Sequence, residues 1–272
     1  MDDANELLAL AAELARDAGK LLMATLDRAP AGVGTKSSGT DMVSQADRSA
    51  EALIVGRLGE ARPDDAVIAE EGSGHEGSSG VRWVVDPLDG TTNYLYGYPH
   101  FSVSIAVERH GETVAGAVFD PSRDELFTAA RGAGARLNGR PAAVADKSDL
   151  ATALVATGFS YAPEIRARQA EVLATVLPAT RDIRRNGSAA LDLCWVACGR
   201  VDGYYEAPLQ PWDLAAGAFI ARQAGAVVTP LAGVPGGPGG VVAAGPSLSP
   251  ALVALLDAAH GGSRDGRGGC GG

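Results

Sequence analysis

The segment Trp83-Val84-Val85-Asp86-Pro87-Leu88-Asp89-Gly90-Thr91-Thr92-Asn93 constrains this chain more than any other stretch. An apolar run of strand character delivers two carboxylates, three residues apart, into a turn. Pro87 stiffens the spacing between them. Gly90-Thr91-Thr92-Asn93 then reads as a helix start, where free backbone N–H groups and the positive end of the helix dipole favour a phosphate group. Ligands for a cation and a seat for an anion are therefore adjacent. A phosphate monoester carries about two negative charges near neutral pH, so it approaches a carboxylate cluster only if metal ions invert the local field. Taken alone, Asp86 and Asp89 are equally well read as turn and helix-cap residues.

The pattern around this segment is of two kinds. Leu7, Leu10, Ala11, Leu14, Ala18, Leu21 and Leu22 recur at helical steps and predict a long opening helix to about Leu26. Gly32 to Thr40 reads as a loop, and a second helical pattern runs from about Asp47 through Leu58 to the break at Pro63. Short β-rich runs at Ala66–Ala69 and Val81–Val85 end in acidic residues. Alternation on either side of His110-Gly111 predicts a hairpin, and Asn138-Gly139 marks another turn. Beyond about Pro141 strands alternate with helices: Leu154–Thr157, Pro163 to about Leu177, Ser188–Cys198, Val201–Glu206, Asp213–Ala224, the pairs Val227-Val228 and Val241-Val242, and a helix through Leu252 and Leu256. Gly233 to Gly240 reads as a Gly/Pro loop. The organisation expected is residues 1–140 as an N-terminal α+β half carrying the main metal and phosphate motifs, 141–260 as a C-terminal α/β half, and 261–272 as a disordered tail.

Composition removes several classes of function. A net charge of -10 disfavours the basic footprint that direct binding of nucleic acid or an anionic membrane requires. No apolar run approaches the roughly 20 residues needed to span a bilayer, and the N-terminus lacks a secretory pattern, so the expectation is a cytoplasmic protein. The four histidines are scattered without zinc spacing, and the three cysteines form no ligand pattern or disulfide framework. Cys194 and Cys198 are read as small apolar groups on one helix face. Oxygen ligands suit a hard cation.

Asp86-Pro87-Leu88-Asp89-Gly90-Thr91-Thr92-Asn93 resembles the metal-binding signature of the inositol monophosphatase family. The resemblance extends to Lys36-Ser37-Ser38, to Asp41 through Asp47, to Glu70-Glu71-Gly72, to Gly187-Ser188-Ala189-Ala190, to Glu206, and to Pro211-Trp212-Asp213-Leu214-Ala215-Ala216-Gly217. Each of these has a bland alternative: a solvated strand end for Glu70, an N-cap for Asp213, a helix-dipole partner for Asp47, a surface lysine for Lys36. Their order along residues 5 to 260 is what favours a single site.

The resemblance implies an α+β fold, a layered αβαβα sugar-phosphatase-type sandwich with a mostly antiparallel N-terminal sheet and a C-terminal α/β half. It implies Mg2+ held in one position by Glu70, Asp86 and the carbonyl of Leu88, and in a second by Asp86, Asp89 and Asp213. Thr91, hydrogen-bonded to Asp47, and Glu70 would activate a water, while the amides of Gly90 and Thr91 hold phosphate oxygens. Ala189, Glu206 and Asp213 would face the alcohol. The implied activity is hydrolysis of myo-inositol monophosphate, with lithium sensitivity and a homodimer. Fructose 1,6-bisphosphate, histidinol phosphate and a 3'-phosphonucleotide are alternative substrates. A non-enzymatic partner in transcription or RNA assembly is the alternative of another class.

Overall fold

Leu7, Ala11, Leu14, Ala18 and Leu22 form the buried face of helix α1 (Asp2–Leu26), which lies with α2 (Ser38–Ala61) against a seven-stranded sheet. The structure is a computed structural model that describes residues 2–26, 38–231 and 239–265. The first sheet comprises β1 (Ala66–Ala69), β2 (Val81–Asp89), β3 (Ser102–Arg109), β4 (Glu112–Asp120), β5 (Glu125–Ala130), β6 (Gly134–Leu137) and β7 (Arg140–Ala142), in sequence order, with the short helix α3 (Thr91–Leu95) after β2. Its one parallel pair is β1–β2; every other neighbour is antiparallel. His110-Gly111 and Asn138-Gly139 turn their hairpins with positive φ at both residues (50° and 82°, 48° and 77°), the geometry whose twist matches the flanking strands.

The remaining elements are β8 (Leu154–Thr157), α4 (Pro163–Ala179), β9 (Asp182–Arg184), α5 (Ala189–Ala197), β10 (Gly203–Glu206), α6 (Pro211–Gln223), β11 (Val227–Leu231), β12 (Gly240–Ala244) and α7 (Ser249–Asp265). They form a second sheet of order β11-β12-β10-β8-β9, in which β10, β8 and β9 are parallel and β12 runs antiparallel to both its neighbours. Helices α5 and α6 lie between the sheets, in one apolar cluster with Val84, Ala106 and Val118 of the first and Ala156, Tyr204 and Ala243 of the second. Helices α4 and α7 cover the outer face of the second sheet. The layers run αβαβα, as the resemblance implied.

Strand β2 is buried on both faces, so its apolar residues are continuous rather than alternating. Trp83, Val85 and Leu88 pack toward α1 and α2, and Val84 toward α5 and α6. Trp83 is fully buried and donates its indole N–H to Asp65 at 2.9 Å, so truncation to Ala would cost about 3–5 kcal/mol from packing alone.

Three boundaries differ most from the sequence reading. Helix α2 starts at Ser38 rather than near Asp47: the low propensity of Gly39 and Thr40 is overridden by continuity with the packed run that follows. Strand β2 continues past Val85 to Asp89, because the acidic residues pair with β3. Helix α7 continues to Asp265, into the stretch read as a tail, while residues 266–272 lie outside the described residues. So do residues 32–37 and 233–238 of the two expected loops.

Candidate active site

Glu70 follows β1 immediately, with its amide bonded to Val85 O, so it sits beside Asp86 on the adjacent parallel strand. Asp86 pairs with Ser104 and Asp89 with Ser102, so three steps on β2 face two on β3. This extra residue is a β-bulge, the one kind of position inside a sheet where a proline such as Pro87 is tolerated. Asp86 accepts a hydrogen bond from Leu88 N at 3.0 Å, which closes the bulge from within. Gly90 then adopts φ 95°, and a Cβ there would stand 3.1 Å from both Gly187 O and His100 O, so only glycine fits.

The second half of the chain meets these acids through helix starts. Asp89 accepts from Ser188 Oγ and from the amides of Ala190 (2.8 Å) and Ala189 (3.3 Å), at the N-terminus of α5. Asp213 occupies the first turn of α6 and accepts from Gln210 N at 2.6 Å, as a helix-capping residue does. Glu206 ends β10, accepts from the Tyr204 hydroxyl at 2.8 Å, and fills the space left by the missing side chain of Gly158. Glu70, Asp86, Leu88, Asp89, Gly90, Thr91, Ala189, Glu206 and Asp213 all line one cavity of about 320 Å³. Asp47 is buried on α2 and close enough to Glu70 and Glu71 for their charges to be felt.

Burial and mutual repulsion raise the proton affinity of the whole group. Asp86 is held well above the usual carboxylate range by its burial first, then by Glu70, Asp89, Asp213 and Asp47. Burial, opposed by a hydrogen bond with Asp86 and reinforced by Asp213, pushes Glu70 up to about 7. Burial brings Asp89 to about 7 against the pull of Ser188, and Glu206 to about 7 against that of Tyr204. Asp47 rises to about 8 through burial and the nearby Glu71, Glu70 and Glu51. Asp213 is raised by burial, against Gln210 N.

Among the described residues no three His, Cys, Asp or Glu side chains stand as a ready-made cage for one ion. Hydrogen bonds from Ser188 and Gln210 draw Asp89 toward the start of α5 and Asp213 toward that of α6. The chemistry of the donor set nevertheless fits a hard cation: four carboxylates and a backbone carbonyl, all oxygen, concentrated in a cavity whose buried negative charge needs a counter-charge.

One expectation changes on contact with the geometry. The Thr91 hydroxyl donates to Leu88 O at 3.2 Å, not to Asp47, whose Oδ1 is buried without a hydrogen-bond partner among the described residues. The Thr91 hydroxyl belongs to the first turn of α3, and the nearest acceptor is the strand carbonyl three residues back. Lys36 lies outside the described residues. The sequence reading also missed Glu51, fully buried on α2, which accepts from Glu71 N (2.8 Å) and Ser73 N (2.9 Å) and so pins the turn that carries Glu70. It missed Asn93 as a clamp: its amide donates to His100 O (2.6 Å) and Asn186 O (2.7 Å). A charged residue on the apolar face of a helix was the available signal for Glu51. Nothing local marked the second partner of Asn93.

Comparisons with known proteins bear on the family and the fold. Residues 3–260 match the inositol monophosphatase family. The chain is 47% identical over 241 residues to an inositol-1-monophosphatase of Mycobacterium bovis, covering 84% of this chain and 82% of that one. It is 45% identical over 229 residues to a protein of Vibrio cholerae named Nus factor SuhB, covering 84% and 86%. Among solved structures, Mycobacterium tuberculosis SuhB superposes with a TM-score of 0.82 at 41% identity, covering 94% of this chain and 98% of that one. The inositol monophosphatase of Anabaena superposes with a TM-score of 0.81 at 35% identity, covering 94% and 97%. A match that runs from α1 to α7, in sequence and in layer order alike, makes the chain a member of the inositol monophosphatase family.

Proposed function

We propose that the chain is a magnesium-dependent phosphomonoesterase that hydrolyses a myo-inositol monophosphate to inositol and phosphate. The observation that carries this reading is the meeting of acids from β1, β2 and α6 with the Gly90-Thr91 turn in one cavity of about 320 Å³, near the lower end of small-ligand pockets. Magnesium would be held by Glu70, Asp86, Leu88 O, Asp89 and Asp213, and would supply charge neutralisation and a more acidic bound water.

The protein's own groups account for the rest. The amides of Gly90 and Thr91 face the phosphate oxygens at the start of α3. Glu70 would accept the proton of the attacking water, with Thr91 and Asp47 ordering it. As the water oxygen bonds to phosphorus, the ester oxygen leaves with a proton as the alcohol. Glu206, Ala189 and Asp213 face that alcohol. Substrate positioning and electrostatics carry the catalysis, without a covalent nucleophile. No helix among the described residues is long and apolar enough to cross a membrane; we propose a cytoplasmic homodimer, sensitive to lithium, with residues 1–140 and 141–260 as its two halves.

The test is phosphate release at saturating magnesium from inositol 1-phosphate, fructose 1,6-bisphosphate, histidinol phosphate and a 3'-phosphonucleotide, with Asp86→Asn as control. Fastest release from inositol 1-phosphate is expected. Absence of turnover on all four would overturn the reading. The name Nus factor, carried by the Vibrio cholerae relative, favours a second reading as a non-enzymatic partner in transcription or RNA assembly. Co-purification with RNA polymerase by a protein inactive on every phosphate ester would place that reading first.

A further inference from the structure

Asp192 lies in the first turn of α5, is only 1% exposed, and takes no part in the proposed chemistry. An acid at a helix start ordinarily favours the dipole from the solvent side. Asp192 instead sits in a run, Ala189 to Cys194, in which every residue is buried. Its Oδ2 has no hydrogen-bond partner among the described residues, and a buried oxygen left unpaired works against folding. An apolar side chain would serve the packing better. What favours an acid here is the bond to its other oxygen: Oδ1 accepts from Asn186 Nδ2 at 2.6 Å.

That bond anchors a strap around the Gly90-Thr91 turn. Asn186 O accepts from Asn93 Nδ2 at 2.7 Å, and the same Nδ2 donates to His100 O at 2.6 Å. Gly187, next after Asn186, packs against Asn93, whose amide atoms lie 3.1 and 3.2 Å from where a Cβ would stand. The strap ends on the two atoms that flank Gly90: Gly187 O and His100 O are each 3.1 Å from the position of its missing Cβ. Asn186 itself is half-buried and belongs to no helix or strand, so its place depends on these bonds. Asp192 ties the whole strap to a packed helix.

We infer that Asp192 is a positioning residue for the phosphate seat. By holding the Asn186 side chain it sets where the Asn186-Gly187 backbone lies, and with it the spacing of Asn93 and Gly90 at the start of α3. This rests on the phosphomonoesterase reading above and adds to it a residue that does not line the cavity. Hydrogen bonds made before the substrate arrives require no reordering when it binds, which is the advantage of a preorganised anion seat.

The test is calorimetric titration of inorganic phosphate into the protein at saturating magnesium, with thermal melts to confirm folding. Asp192→Ala should weaken phosphate binding roughly tenfold, the scale of one hydrogen bond to a charged group. Asp192→Asn keeps an oxygen that accepts from Asn186 and should bind near wild type. Asn186→Ala removes the bond from its other end and should weaken binding as much, and the double variant should be no weaker than either single one. Additive losses would overturn the inference, and so would equal weakening by Asn and Ala at position 192, which would assign the effect to charge. Wild-type affinity in folded Asp192→Ala overturns it too; if that variant does not fold, wild-type affinity in Asn186→Ala does so alone. Turnover of inositol 1-phosphate separates this inference from the reading it rests on. Selective loss of phosphate binding in a protein without turnover sinks the enzymatic reading and leaves this one, whereas normal turnover with unchanged affinity in the variants does the reverse.

Discussion

Asp86 and Asp89 project from the same face of β2 although they stand three positions apart, because β3 places only Ser104 and Ser102, two positions apart, opposite them. In a regular strand an odd spacing would send the two carboxylates to opposite faces, one toward α5 and the other toward α1 and α2. The bulge at Pro87-Leu88 restores the parity. The start of α5 then receives Asp89, and the end of β1 brings Glu70 beside Asp86.

The position of Asp86 makes its replacement informative in two ways. Asn keeps the shape and the Oδ1 that accepts from Leu88 N, but removes a carboxyl whose ionisation is opposed by burial and by Glu70, Asp89, Asp213 and Asp47. Asp86→Asn should lower kcat/KM by on the order of 10² or more, since several kcal/mol of metal-assisted stabilisation is lost. In chelator at pH 8 the same variant should melt higher than wild type, at about 2–4 °C per kcal/mol of relieved repulsion. A lower melting temperature would show that the carboxylate holds the fold together.

The metal-free protein should lose stability as pH rises from about 6.5 to about 8. Glu70, Asp89 and Glu206 near 7 and Asp47 near 8 keep protons in the folded chain that the unfolded chain has already released. More protons bound in the native state means stability falls with pH. His100, buried and pushed down to about 4, acts in the opposite sense only below its ordinary value of 6.5. Thermal melts in chelator at pH 6.5 and 8 check this, and magnesium should flatten the decline. A melting temperature that climbs between those two values in chelator contradicts the assignment.

Ser188 serves Asp89 and α5 at once, donating to the carboxylate while accepting from Leu191 N as the helix N-cap. Ser188→Ala should cost about 1–2 kcal/mol in stability. It should also raise the magnesium concentration needed for half-maximal turnover, because Asp89 loses a donor that favours its ionised form. Ser188→Thr should restore both. Unaltered magnesium dependence in the Ala variant would detach Asp89 from the metal site.

Gly90 and Gly111 separate backbone strain from crowding. Both have positive φ, 95° and 82°, but a Cβ on Gly111 meets open space while one on Gly90 presses on Gly187 O and His100 O. Gly111→Ala should cost about 1–2 kcal/mol and leave turnover near wild type. Gly90→Ala should cost more and reduce kcat sharply, since the contact between α3 and the turn before α5 must open. Comparable turnover in the two variants would remove Gly90 from the phosphate seat.

Much of the fold was legible in the residues because its causes are local. Period-two alternation and the His110-Gly111 and Asn138-Gly139 turns marked the hairpins, and the stripe from Leu7 to Leu22 marked α1. The acids Glu70, Asp86, Asp89 and Asp213 follow from the resemblance of their segments to the family's motifs, and the fold brings the four to one cavity. The start of α2 at Ser38 was not legible, because propensity points away from helix there and packing further along decides.

By itself the sequence determined which residues carry charge, where strands end in acids, and which turns require glycine, since these follow from side-chain chemistry and backbone sterics. Only the tertiary structure decided that the Thr91 hydroxyl turns to Leu88 O, that Glu51 pins the Glu70 turn, and that Arg185 shares the cavity without an acidic partner among the described residues. The first depends on how the turn after β2 is seated, and the other two on contacts between segments at least 20 residues apart. Such contacts are set by how the layers pack, and no local pattern encodes them.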